Sequence, residues 1–204
     1  MKKITSLAIG FLLLVLTSFT TEKTTSGFQE KLLEAKMSFE MPKDFKEVPI
    51  ISNMQMNYDY AIKHVEKNFE VRFALRPLGN MLKTYLEKEK NKQPGEINMS
   101  PNKLYQGSFL AIIMNVSGIM DISGGKMPKI SAFPPQAIKA EFNADWGAIT
   151  MVEAGKEFGQ DYKYCFMVAI HKDDIADAYY FYLANDQQTL KEQMQPVFHS
   201  LKFN

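Results

Sequence analysis

Two stretches of this chain, YKYCFMVAIH at 162–171 and IADAYYFYLA at 175–184, are apolar on both faces and stand only a short turn apart, Lys172-Asp173-Asp174. In the first, Tyr164, Phe166, Val168 and Ile170 fall on one side, and Cys165, Met167 and Ala169 on the other. A strand that is apolar on both faces needs a layer above the sheet and another below it. So tight a turn makes the pair antiparallel. The expected fold class is therefore α/β of the α+β type: an antiparallel or mixed β-sheet covered by helices on both faces.

The rest of the chain supplies strands and covers. Residues 29–36 form a short helical turn or part of a first strand, and MSFEM at 37–41 alternates up to the turn Pro42-Lys43-Asp44-Phe45. A strand over 55–62 would place Met56, Tyr58, Tyr60 and Ile62 on one face. The next, NFEVRFALRP, places Phe69, Val71, Phe73 and Leu75 opposite Glu70, Arg72 and Arg76, the mark of a strand with one face less buried. KHVEK links the two as a hairpin. Asn80 is placed to cap a helix over 81–90. Ser100-Pro101 opens another, with Leu104, Tyr105, Phe109, Ile112, Ile113 and Val116 on its apolar face and Gly118 at its end. Residues 121–135 read as a loop with a short strand near Ile130. Pro134-Pro135 starts a third helix, and a strand begins at Trp146. Asp186 caps a last helix with Leu190, Met194, Val197 and Leu201 on one stripe, interrupted at Pro196.

With these elements in order, the sequence resembles the PsbP-like superfamily, which includes the photosystem II extrinsic proteins, Mog-type Ran-binding proteins and exported bacterial proteins. Three places carry the likeness: MSFEMPKDFKEV, FEVRFALRPL, and the run from YKYCFMVAIHKDDIADAYYFYLANDQQTL to PVFHSLKF. They span most of residues 37–204 as a packing pattern, and none is a catalytic motif. The chain departs from the plant members over 80–135, where extra helical sequence is inserted. The resemblance implies a PsbP-like sandwich and a binding or assembly role.

The N-terminus sets an expected compartment. Lys2 and Lys3, the apolar run 7–16 and the small polar residues after it read as a secretory signal over 1–20. The run is short for a membrane span. Residues 21–27 then form a linker, and a single domain of roughly 180 residues spans 28–204. The expected product is exported and soluble, periplasmic or secreted, with no integral membrane span after signal removal; an uncleaved signal acting as an anchor is the alternative. Losing Lys2 and Lys3 takes the formal charge from +1 to −1. A nearly neutral chain without a basic stripe is not built for nucleic acid. The only cysteine, Cys165, excludes an intramolecular disulfide.

No catalytic motif stands out. His64, His171 and His199 match no metal spacing. Met54 and Met56 could offer thioethers to Cu(I), but methionine also fills cores. Ser123-Gly124-Gly125-Lys126 lacks P-loop spacing, Ser117, Ser123 and Ser131 lack a nucleophile elbow, and Cys165 reads as a core thiol. No cofactor and no metal site is expected. The candidate ligand-binding residues are Arg72 and Arg76, whose guanidinium groups match carboxylates and phosphates, and Asp145 with Trp146, an aromatic beside an acid. The bland alternatives are a solvated strand face and a helix-to-strand turn. The leading functional expectation is a non-catalytic binding or accessory protein, serving an envelope complex or carrying a small apolar ligand. One alternative is an envelope hydrolase with a spatially assembled site, for which Asp145, His171 and Asp173 are the candidate catalytic residues, His171 as base. The other is a protein-interaction module using the 119–135 loop.

Overall fold

The computed structural model describes residues 26–119 and 128–204. The signal segment, most of the 21–27 linker and the Ser123–Lys126 loop therefore lie outside the described residues.

The chain enters on helix α1 (Ser26–Glu34), which starts within the stretch read as a linker. Strands β1 (Met37–Phe39), β2 (Phe45–Glu47), β3 (Tyr60–His64) and β4 (Phe69–Pro77) follow. Helix α2 (Gly79–Lys90) begins one residue before Asn80, so Leu78 takes the cap position and no side chain caps it. Ser100 does act as a cap: its hydroxyl accepts from Asn102 N and starts a 3₁₀ turn, Pro101–Lys103, that leads into α3 (Tyr105–Ser117). Gly118, at φ 70°, ends α3 in the left-handed conformation that glycine adopts without strain. Then come β5 (Ser131–Ala132), α4 (Pro135–Phe142), β6 (Trp146–Glu153), the short α5 (Lys156–Gly159), β7 (Tyr164–Lys172) and β8 (Ala176–Ala184). Asp186 caps α6 (Gln187–Met194) by accepting from Thr189 N. Pro196 sits in a 3₁₀ turn, Gln195–Val197, beyond which Leu201 belongs to β9 (Leu201–Phe203) and not to the expected helical stripe.

Seven strands form one sheet in the order β2-β3-β4-β8-β7-β6-β5, every pairing antiparallel. β1 and β9 form a separate antiparallel ribbon. β8 lies in the middle of the large sheet and is buried along its whole length. Its Ala178, Tyr180 and Tyr182 join a core with Phe28, Phe73, Phe142, Leu190 and Leu201, contributed by α1, β4, α4, α6 and β9. Its Tyr179, Phe181 and Leu183 join a second core with Phe109, Ile113, Val116 and Phe158, from α3 and α5. Helices thus cover both faces, as the two-faced hairpin demands. Gly147 of β6 has no side chain because Ile138 of α4 occupies the space where a Cβ would sit.

Two strand readings change. Met56 and Tyr58 pack in the α3 core while Tyr60 and Ile62 pack in the α1 core, so the alternation expected over 55–62 reverses at Asp59. There Asp59 N donates to Phe73 O at 2.7 Å, and the Asp59 carboxylate accepts from Leu75 N at 2.6 Å, taking the place of a backbone partner. The strand is regular only from Tyr60 onward.

The second change concerns Glu70 and Arg72, read as the open face of β4. That face is interior because Phe158 of α5 and Tyr58 of the segment before β3 pack over it, and Arg72 is 1% exposed. Its Nε donates to Glu70 Oε1 at 2.7 Å and its Nη1 donates to the Phe158 carbonyl. The guanidinium lies 5.0 Å from the Tyr58 ring centre and 4.9 Å from that of Phe158. Cation–π contact with both rings and the paired carboxylate keep this cation in the core. Removing one partner strands the other. Arg72→Ala is expected to lower unfolding free energy by about 3–5 kcal/mol in urea titrations, whereas the paired change Glu70→Leu with Arg72→Met recovers most of that loss.

Candidate functional site

Strand register brings together residues that are far apart in sequence. Trp146 on β6 stands opposite His171 on β7, His171 opposite Asp177 on β8, and Asp177 opposite Arg76 on β4. The four form one row across the sheet on the face that α3 covers, at the end where the β7–β8 turn lies. Arg76, Trp146 and His171 were singled out from sequence. Arg72 belongs to a different row, with Phe181 and Met167, inside the core.

His171 is the most constrained member, with 1% of its surface exposed. Nδ1 lies 2.6 Å from Asp177 Oδ1 and Nε2 lies 2.9 Å from Asp173 Oδ1. Tyr105, at the start of α3, stacks on the imidazole at 4.2 Å, and Trp146 packs on Tyr105 at 4.7 Å. Burial pulls the His171 pKa down, but hydrogen bonds and charge from Asp177 and Asp173 outweigh it, and the net shift is upward. As an imidazolium the ring donates from both nitrogens.

Asp145 is close by and belongs to the turn rather than to the imidazole. Its N donates to His171 O at 2.9 Å, its Oδ2 accepts from Asp173 N at 3.0 Å, and Lys139 donates to Oδ1 at 3.1 Å. Burial would raise its pKa; the Lys139 and Asp173 hydrogen bonds overcome this and lower it. The structure thus gathers Asp145, His171 and Asp173, the three candidate catalytic residues, in one cluster. It also shows both imidazole nitrogens already engaged.

Beside this row lies a cavity of about 370 Å³. Arg76, Asp177 and Tyr179 form its sheet wall; Leu104, Ser108, Ala111 and Ile112 form the wall on α3 and the turn before it. Leu78 and Met81, at the start of α2, together with Met56 and Pro101, complete the lining. A further hollow between α2 and residues 98–99 shares Met81, Pro101 and Leu104 with it. A mostly apolar cavity with a few convergent polar groups is the usual form of a small-molecule site. Another hollow, of about 400 Å³, lies between Gln55, Glu157 and the end of α3, away from the row.

The other candidates are scattered. Met54 is 92% exposed while Met56 is buried in the α3 core, so the two methionines do not converge. His64 caps its own turn through Nδ1, accepting from Glu66 N and Lys67 N, and His199 lies 3.3 Å from Glu141. His199 follows the last 3₁₀ turn rather than lying in a helix. Cys165 is buried, and burial pushes its thiol pKa up, away from reactivity. Among the described residues no group of three or more His, Cys, Asp or Glu side chains could hold a metal ion, and no helix is long and apolar enough to cross a membrane.

Asp177 was missed from sequence, although it left a trace: it is the lone charge in an otherwise apolar two-faced run. A carboxylate in such a strand needs a partner. Counting back across the hairpin turn from Asp177 arrives at His171.

No known family and no curated protein matches the sequence. Among solved structures the chain is similar to the solution structure of cyanobacterial PsbP (CyanoP) from Synechocystis sp. PCC 6803, with a TM-score of 0.41 and 9% sequence identity, over 83% of this chain and 88% of that one.

The raised His171 pKa has a definite sign in stability. The unfolded chain titrates near the ordinary value of about 6.5. The folded state holds the proton more tightly, so the stabilisation is complete below that value and is lost as pH rises through the folded pKa. Unfolding free energy measured against pH should fall across that window in the native chain, and the His171→Gln chain should lack that component of the slope. An imidazole titration by NMR with its midpoint at or below the ordinary value would contradict this.

Proposed function

We propose that the protein is a non-catalytic binding protein that takes up a small amphipathic molecule in the cavity between α2, α3 and the β4–β8 wall. The observation that carries this reading is the lining: Met56, Leu78, Met81, Leu104 and Ile112 supply an apolar body, while Arg76, Asp177 and Tyr179 on the sheet wall and Ser108 on α3 supply polar groups. Its size falls within the about 300–1,000 Å³ of small-molecule sites. The engagement of His171 supports binding over hydrolysis. A general base needs a free nitrogen within reach of the substrate proton, and both of this imidazole's nitrogens face aspartates in a buried position.

The leader-like segment 1–20 supports delivery out of the cytoplasm as a soluble carrier or as an accessory to an envelope complex. N-terminal sequencing of the mature protein tests that part of the reading. The interaction-module alternative rests on the 119–135 connection, of which residues 120–127 lie outside the described residues.

Nile red, a neutral apolar dye, probes the cavity directly. Saturable binding with blue-shifted emission is expected. Ala111 is an exposed residue that also lines the cavity, so Ala111→Trp can obstruct it without disturbing the core. That variant should weaken dye affinity about tenfold or more while leaving the thermal midpoint unchanged. Undiminished saturable binding in Ala111→Trp would overturn the assignment of the cavity as the binding site.

A further inference from the structure

We propose that the cavity selects a medium-chain carboxylate, with the head group on Arg76 and the hydrocarbon chain along Met81, Leu104 and Ile112. This rests on the cavity being a ligand site, as argued above, and adds the chemical class of the ligand.

The selectivity follows from which polar groups remain unspent. Arg76 carries five N–H donors. Nη1 donates to Asp59 Oδ2 at 3.1 Å and to Leu75 O at 2.8 Å, and Nη2 donates to Asn57 O. That leaves Nε–H and one N–H on Nη2. The side chain is 36% exposed, so these donors need not be stripped of a buried partner before they meet a ligand. A carboxylate matches arginine with two charge-assisted hydrogen bonds. Asp59 does not cancel the charge, because it is shared between Arg76 and Lys31: two cations stand around one carboxylate.

The oxygens of the opposing carboxylate on the same wall are already engaged. Asp177 is 10% exposed at its side chain, its Oδ1 is held by His171 and its Oδ2 faces the Tyr179 hydroxyl at 3.5 Å. Arg76 and Asp177 are register partners, yet each has turned to a different counter-ion: Arg76 to Asp59, and Asp177 to His171. The hydrogen-bonding capacity left open on this wall is therefore that of the Arg76 guanidinium, whereas both Asp177 oxygens already have partners. The remaining polar lining, Ser108 and Tyr179, consists of neutral hydroxyls.

The apolar part suits a flexible chain more than a rigid ring. Methionine thioethers repack around variable shapes. The adjoining hollow, which shares Met81, Pro101 and Leu104, also gives a longer tail somewhere to run. Affinity should therefore grow with chain length as methylene groups are buried.

The test is calorimetric titration of the full chain at neutral pH with decanoate, octanoate, decanol and decylamine, all below their aggregation limits. Decanoate should bind at least about tenfold tighter than decanol, the worth of a charge-assisted pair. Octanoate should bind about fifteenfold weaker than decanoate, at about fourfold for each of the two methylenes. Arg76→Gln should abolish the preference for decanoate over decanol. Should that variant fail to fold, the comparison of ligands on the native chain decides alone. Equal binding of decanol and decanoate, or tighter binding of decylamine, would overturn the carboxylate assignment and leave the cavity as a binding site. Failure of all four ligands to bind, while Nile red still binds in a manner sensitive to Ala111→Trp, would overturn the chain-like ligand alone; loss of that dye result as well would remove the binding site itself.

Discussion

Everything in this fold depends on one strand having no free face. β8 is buried from Ala176 to Ala184, with small and aromatic residues pointing into both cores. An antiparallel sheet can leave one side to water, but this one cannot, because Tyr180 and Tyr182 on one face and Tyr179 and Phe181 on the other must all be covered. The α1–α4–α6 layer and the α3–α5 layer are the consequence. With no cysteine pair available, this two-sided burial is what holds the domain.

A sheet covered on both sides has little room for charge, and the two places where charge enters are solved differently. Arg72 is fully enclosed. It works as a packing element between two aromatic rings, and its ion pair with Glu70 connects neighbours on one strand, while its bond to the Phe158 carbonyl fixes α5 on the sheet. Arg76 and Asp177 lie four residues, two repeats of the pleat, closer to the strand ends, where cover is incomplete. Their charges are met by different partners: Arg76 by Asp59, from the irregular segment before β3, and Asp177 by His171, its register neighbour on β7. The first arrangement rigidifies. The second leaves partly spent polar groups beside an opening, which is the physical condition for a ligand site.

The legible part of this structure was what local pattern alone determines. The β7–β8 hairpin was readable because both strands are apolar throughout and the turn is short. Helix α3 was readable because Ser100-Pro101 and Gly118 mark its ends chemically. The irregular segment before β3 was not, because its alternation over Met56, Tyr58, Tyr60 and Ile62 is unbroken in sequence. Only the hydrogen bond from Leu75 N to the Asp59 carboxylate, sixteen positions away, reverses the faces. β9 was hidden for a similar reason. Leu201 continues a helical spacing, and its strand exists because β1 offers an edge to pair with. At the site, Arg76, Trp146, Asp145, His171 and Asp173 were all visible as residue types. Their grouping was not, since it arises from register across four strands. The burial of Arg72 was misread because alternation shows that a face differs, not what covers it.

The cavity wall is unequal in a way that bears on access. On one side stand β4 and β8, central strands paired on both edges, and α3, which buries Phe109, Ile113 and Val116. On the other stands α2, which buries none of its own residues, leaves Met81 and Leu86 about half exposed, and has no side-chain cap at its N-terminus. Elements with little buried apolar surface open locally at low free energy, independently of global unfolding. Met81 thus lines the cavity from an element that buries none of its own residues, whereas the Asp177–His171 and Asp59–Arg76 pairs are anchored on the sheet side. A binding protein needs this division: polar groups held in place by the rigid sheet, and a cover whose displacement costs little. In the proposed site the helical stretch after β4 supplies that cover.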